Sequence, residues 1–343
     1  MFRKIVVLAS VILLVALVAA QASAQGGPPL PGEVVIANLG APRGLAFDSS
    51  GNLLIADAGE GGTVEAVLPG PEGESTVKMG LSGRVISVAA NGTATDFVAG
   101  LPSYNTGTET LGVYRAIPHG DSLWVVFSGT GAGAFGAFWT DSVVELDAAT
   151  LRVRRVINLQ PFEIANDPDG NGYDTNVSDI AWGPDGTLYI TDAGGNDLLS
   201  WTEADGLQLV AVWPDNPVPT SVEVAANGDL YVGFLGAGLA PGAAKIEHWS
   251  GGQLVHTYSG LNAVSDILLD GDTLYAVELV IFGEAGPGPG RVIMVDSSGA
   301  TPVAEGLPAP FGLAKGSDGA LYVSFGTIPL GPGMTGGVIK LPM

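Results

Sequence analysis

The stretch Asn166-Asp167-Pro168-Asp169-Gly170-Asn171-Gly172-Tyr173-Asp174 sets side-chain oxygens at Asp167, Asp169, Asn171 and Asp174. A hard cation such as Ca²⁺ needs several oxygen ligands from one tight loop, with a glycine where the chain turns sharply. The spacing Asp167-x-Asp169-x-Asn171-Gly172 matches the first half of a calcium loop. The second half is absent. Ser178 stands where a bidentate glutamate belongs, and no flanking helices are expected, so Asp174 or Asp179 would have to substitute. The other reading is a polar turn, because Asp, Asn and Gly are common loop material that bonds its own backbone. The choice depends on where the chain places the loop.

Composition narrows the setting. Arg3 and Lys4, the apolar run from Ile5 to Ala20 and the small-x-small pattern Ala22-Ser23-Ala24 predict a cleaved export signal over 1–24. A Gly/Pro-rich linker over 25–32 follows. The chain is then secreted or exposed in the periplasm or on the cell exterior, with no membrane span after cleavage. The net charge is −22. It becomes −24 once the two basic residues of the signal are removed. Such a surface repels phosphate backbones, which excludes nucleic acid as a natural partner. There is no cysteine, so neither disulfides nor thiol chemistry is available.

The chain repeats itself. GLAFDSSGNLLIAD (44–57) returns as DIAWGPDGTLYITD (179–192), SVEVAANGDLYVGF (221–234) and GLAKGSDGALYVSF (312–325). RAIPHGDSLWVVFS (115–128) and DILLDGDTLYAVEL (266–279) are two further copies. Each copy reads as strand, Gly/Asp turn, strand. The leucine opening the second strand recurs at Leu53, Leu123, Leu188, Leu230, Leu274 and Leu321, at separations of 70, 65, 42, 44 and 47 residues. With two more strands after most hairpins, this predicts an all-β, six-bladed propeller over 33–343, monomeric and closed into a ring. Closure comes from EVVIANL (33–39), which pairs with GGVIKL (336–341) and completes the last blade.

The insertions are unequal. Turns between the first and second, and between the third and fourth, strands of each blade are short. The long segments, 58–83, 101–112, 128–141, 160–177, 234–243, 279–290 and 326–336, all emerge on the opposite face. Function on a rigid scaffold tends to sit on such loops. Phe135 and Phe138, with Trp139 behind them, either contact a ligand or anchor their loop. At the mouth of the channel on that face, the alignment places Arg43, Tyr114, Arg115, Asp179, Thr220, Ser221, Asp266 and Phe311. Two guanidiniums and two carboxylates there either hold a polar ligand or cation, or pair with one another and plug the channel. His119 falls in a short turn, and His248 and His256 fall on outer strands. No histidine-based triad or zinc site forms at the mouth.

Three stretches carry a family likeness: FEIANDPDGNGYDTNVSDIAWGPDGTLYITDAGGNDLLSW (162–201), PTSVEVAANGDLYVGFLGAGLAPGAAKIEHW (219–249) and PFGLAKGSDGALYVSFG (310–326). They resemble the ScyD/ScyE family of exported bacterial proteins, which are similar to NHL-type and TolB-like six-bladed propellers. The resemblance covers nearly all of the chain after the signal and implies that fold and export. It implies no particular activity. The chain departs from the family pattern at Thr175-Asn176-Val177-Ser178, where members often read Ser-Asn-Pro-Tyr or similar.

The expectation is a non-enzymatic binding propeller, stabilised by Ca²⁺, that takes a small polar ligand or another envelope protein on its long-loop face. The alternative is a lactonase-like hydrolase using a metal held at the channel mouth by Asp179 and Asp266.

Overall fold

The computed structural model describes residues 29–70, 73–129, 139–283, 286–328 and 335–342. The expected signal over 1–24, most of the linker, and Phe135 and Phe138 lie outside the described residues. The first strands are β1 (Glu33–Leu39), β2 (Pro42–Phe47), β3 (Leu53–Asp57), β4 (Val64–Gly70), β5 (Gly73–Val88) and β6 (Ala94–Asn105). The second repeat supplies β7 (Thr110–His119), β8 (Ser122–Phe127), β9 (Ser142–Asp147) and β10 (Val153–Asn158), followed by helix α1 (Gln160–Asn166). The third supplies β11 (Val177–Trp182), β12 (Leu188–Asp192), β13 (Asp197–Thr202) and β14 (Gly206–Val212). The fourth has β15 (Pro219–Val224), β16 (Leu230–Phe234), β17 (Ala244–Ser250) and β18 (Gln253–Leu261). In the fifth, β19 (Val264–Asp270) and β20 (Thr273–Glu278) precede a small ribbon of β21 (Ile281–Gly283) and β22 (Gly286–Gly288), then β23 (Gly290–Asp296) and β24 (Gly299–Leu307). The last three strands are β25 (Leu313–Lys315), β26 (Leu321–Phe325) and β27 (Gly336–Lys340).

The architecture is an all-β propeller. The innermost strands touch in a closed circuit, β2 to β7, β11, β15, β19, β25 and back to β2. Between them lie apolar clusters that each draw on two consecutive repeats. The six recurring leucines are all buried in these layers.

Four repeats form separate four-stranded sheets: the third, fourth, fifth and sixth. Six separate blades are expected, and the first two repeats depart from that. Their strands run into one nine-stranded sheet. The cause is local. The segment 101–112, expected as a loop, extends β6 and β7 until Ser103, Tyr104 and Asn105 pair with Gly112, Leu111 and Thr110. The segment 58–83 is likewise no open loop, because β4 folds back on the long β5 as a ribbon.

Closure occurs as expected. β1 pairs antiparallel with β27, with Glu33 opposite Lys340 and Leu39 opposite Gly336. The fit is tight: a Cβ on Gly337 would meet the Ile36 carbonyl oxygen at 2.4 Å. Replacing Gly337 by Val should therefore unpair β1 and cost about 2–4 kcal/mol, measured by urea unfolding. Unchanged stability would show that closure at β27 is not needed.

Candidate functional site

A β-bulge recurs at the start of five inner strands, with register shifts between Pro42 and Leu45, Val113 and Arg115, Val177 and Asp179, Pro219 and Ser221, and Val264 and Asp266. A bulge bends its strand and re-aims the residues around it. Here it separates two roles. Ser178, Thr220 and Ser265 send their hydroxyls to the next repeat, donating to the carbonyls of Pro219 (3.0 Å), Val264 (2.7 Å) and Phe311 (3.0 Å). The residue after the bulge faces the axis.

At the axis Arg115 lies between two aspartates. Its Nη1 donates to Asp266 Oδ2 at 2.8 Å, and its Nε stands 3.3 Å from Asp179 Oδ1 without the alignment of a hydrogen bond. Each aspartate also accepts a backbone N–H from the next repeat: Val222 to Asp179 at 3.1 Å and Leu313 to Asp266 at 2.8 Å. Glu223 is a third axial carboxyl that the sequence reading missed. It senses Arg115, Asp179 and Asp266, and accepts from the Leu269 backbone. Burial raises the Asp179 and Asp266 carboxyls and pushes Glu223 up to about 8, against the pull of Arg115.

Arg43 is not part of this group. It lies between the rings of Tyr114 (4.6 Å) and Phe311 (4.8 Å), donates to the Thr110 carbonyl at 2.9 Å and pairs with Glu109 at 3.6 Å. The expected pairing of both arginines with Asp179 and Asp266 is thus half right, because a cation–π stack holds Arg43 elsewhere. Thr220 is used up between repeats, as above. Ser221 is fully buried, and its Oγ has no hydrogen-bond partner.

The Asp/Asn/Gly loop forms a second centre, with a different residue set from the expected one. α1 precedes it, contrary to the expectation of no flanking helix. Pro161 in the first turn of α1 favours the helix, and Asp167 ends it in a left-handed conformation at φ 40°. This turn brings Glu163 to Asp167 and Asp169, and the three offer oxygens within 4.8 Å of one another. Asn171 braces Asp169. Its backbone N–H and its Nδ2 both donate to Asp169, each at 2.8 Å. Asp174 stands apart from that triad, with its carboxyl raised to about 7 by burial and by Asp192 and Asp169. Burial likewise lifts Glu163 to about 8.

Two more carboxylates close on this centre from the sheet. Asp192 accepts N–H groups from Asn176 (2.7 Å), Gly194 (3.0 Å) and Gly195 (3.1 Å). Asp197 lies opposite it on β13. Among the described residues no Lys, Arg or His forms an ion pair with Glu163, Asp167, Asp169, Asp192 or Asp197. Asp192 and Asp197 were not singled out from the sequence, although they bracket the short Asp-x₄-Asp turn 192–197.

At the trimmed end a cavity of about 420 Å³ opens between the sixth and first repeats, lined by Phe47, Leu53, Val88, Tyr322 and Lys340 among others. It contains none of the predicted site residues. No helix among the described residues is long and apolar enough to cross a membrane.

No family model matches the chain, and no curated protein does. Solved structures do. A streptogramin B lyase is 12% identical, with 91% of this chain and 97% of that chain covered at a TM-score of 0.52. A Thermus thermophilus protein described as a putative oxidoreductase (glucose dehydrogenase) is 18% identical, with 92% and 100% covered at 0.56. A gluconolactonase from Xanthomonas campestris is 12% identical, with 91% and 99% covered at 0.51. At these identities the likeness establishes the propeller fold alone.

Two outcomes test the axial group. Arg115→Met leaves the buried Asp179 and Asp266 carboxyls without a cation and should cost about 3–5 kcal/mol in chemical denaturation. Glu223 holds its proton in the folded state up to about pH 8, whereas the unfolded chain releases it near the ordinary value of 4.5. Stability should therefore fall as pH rises from about 5 to 8. Glu223→Gln should flatten that profile and gain about 1–3 kcal/mol at pH 8 relative to pH 5. Parallel profiles for the two proteins would rule out a buried proton on Glu223.

Proposed function

We propose that this chain is an exported six-bladed propeller that binds a small polar ligand or another envelope protein on its long-loop face and catalyses no reaction there. The blade count takes the nine-stranded sheet as two blades, β2-β3-β5-β6 and β7-β8-β9-β10, joined through β6 and β7. The closed circuit of six innermost strands supports that count. Export rests on the apolar segment and small-x-small pattern of residues 1–24. The likeness to the ScyD/ScyE family is in keeping with both.

The observation that carries the non-catalytic reading is the state of the axis. A metal-dependent hydrolase needs several oxygen ligands aimed at one point, with a coordination position open to substrate. Here Arg115 occupies the space between Asp179 and Asp266, and the remaining carboxylate oxygens accept backbone N–H groups. These two aspartates hold strands together and are not free to act on a substrate. The second reading, a lactonase-like hydrolase, draws on the fold shared with the gluconolactonase and on Glu223, a third carboxyl at the same place.

The two readings separate in one experiment. The purified chain is incubated with gluconolactone and with aryl esters, each in turn with Ca²⁺, Mg²⁺, Mn²⁺ and Zn²⁺. No turnover above the metal-only control is expected. Turnover that falls at least 100-fold in both Asp179→Asn and Glu223→Gln would establish the hydrolase instead. For binding, a photo-crosslinker at position 60, on the long-loop face, should give adducts in an envelope extract. One at position 184, in a short turn of the other face, should give none. Equal labelling from both positions would remove the face assignment.

A further inference from the structure

Three repeats end their second strand with an acid: Asp57, Asp192 and Glu278. All three do the same structural work. Asp57 accepts the N–H groups of Ala41 and Gly59, Asp192 those of Asn176, Gly194 and Gly195, and Glu278 that of Asn262. Each acid ties the incoming loop to the sheet and is almost fully buried.

A buried carboxylate needs a positive partner, since an unpaired buried ion costs several kcal/mol. In two repeats the third strand provides one directly opposite. Arg84 pairs with Asp57 in register, with its Nε 3.2 Å from the carboxylate. Arg291 pairs with Glu278 in the same way, at 2.5 Å. In the third repeat the residue directly opposite Asp192 is Asp197. Like charges opposite one another in a sheet repel. Asp197 is 0% exposed, and neither of its carboxylate oxygens has a hydrogen-bond partner.

The surroundings supply further oxygen and no cation. Glu163 is 2% exposed, and its Oε1 is also without a partner. Its Oε2 and Asp192 Oδ2 both border Gly195, where a Cβ would lie 3.2 Å from the first oxygen and 3.4 Å from the second. Asp167 and Asp169 complete the group with Glu163. Carboxylates from a helix, a loop and two strands thus gather at a post where the first and fifth repeats place a guanidinium.

We propose that a calcium ion is held by Glu163, Asp167 and Asp169, beside Asp192 and Asp197, and supplies to these buried acids the positive charge that Arg84 and Arg291 supply in the first and fifth repeats. Oxygen-only ligands on a helix end and an irregular loop favour Ca²⁺, which accepts six to eight oxygens in irregular geometry. Mg²⁺ demands a near-ideal octahedron and keeps its waters. Zinc would want nitrogen or sulfur, which this group does not contain. The ion joins α1 and its loop to the third repeat, independently of what the long-loop face binds.

The test is calcium titration of the purified chain by calorimetry, with thermal unfolding followed in EDTA, in 1 mM Ca²⁺ and in 1 mM Mg²⁺. The native chain should bind Ca²⁺ with a Kd on the order of 10–100 µM or tighter and melt about 5 °C or more higher with it. Asp197→Arg copies the first and fifth repeats. It should lose the calcium response while melting in EDTA at or above the native chain in EDTA. Glu163→Gln with Asp169→Asn should weaken calcium binding at least tenfold, and decides the matter if Asp197→Arg does not fold. The proposal is overturned if the native chain gives no binding heat and one melting temperature in all three buffers. It is also overturned if Mg²⁺ binds as tightly as Ca²⁺, or if the variants bind calcium like the native chain.

Discussion

Each inner strand of this propeller must be tied to the next one around the ring, and polar bonds at the axis do much of that work. Asp179, Glu223 and Asp266 reach from the third, fourth and fifth repeats to the backbone N–H groups of Val222, Leu269 and Leu313 in the repeats that follow. Hydroxyls of Ser178, Thr220 and Ser265 make the parallel bonds to carbonyls. Together they satisfy inner-strand groups that a buried axis would otherwise leave unpaired, and an unpaired buried group costs free energy. The cost is a concentration of carboxyls at one place. Arg115 answers it by standing between two of them.

The remaining part of the circuit uses different means. In the sixth and first repeats the equivalent positions are Gly312, just before β25, and Gly44, within β2, where a Cβ would collide with the Arg43 carbonyl oxygen at 2.4 Å and the Arg115 side chain at 2.5 Å. Close backbone approach replaces the carboxylate bond there. Ser324, on a second strand, donates to the Arg43 carbonyl at 2.7 Å and keeps the hydroxyl tie. Arg43 itself is held by Tyr114 and Phe311, whose rings meet edge to face at 5.1 Å. The ring therefore has a polar, charge-dense arc and a tighter glycine and aromatic arc.

The same balance of charge governs the end of the second strand in the three repeats that place an acid there. An acid that ties a loop down creates a need for a cation, and the repeats meet it unequally. Two use arginine; the third surrounds its acid with further acids. That contrast arises inside one chain under one solvent, so it is a difference of local chemistry.

The sequence by itself determined the repeat. Turn residues at fixed offsets and a buried leucine at each second strand specify strand pairing locally, and β1 closing on β27 was legible because a spare strand stood at one end and a gap at the other. The short turns and long insertions were legible for the same reason, being properties of spacing. Asp167 and Asp169 were visible as a cluster because they are neighbours in the chain. What only the tertiary structure decided is which distant residues share a point. Repeat alignment already put Arg115, Asp179 and Asp266 at one mouth, but that Glu223 joins them and Arg43 leaves them for Tyr114 and Phe311 follows from side-chain packing between strands. Asp197 faces Asp192, where Asp57 and Glu278 face arginines, because register across a hairpin sets the partner. The length of β6 and β7, which merges two repeats into one sheet, and the helical turn that delivers Glu163 depend on long-range pairing and packing that no local pattern encodes.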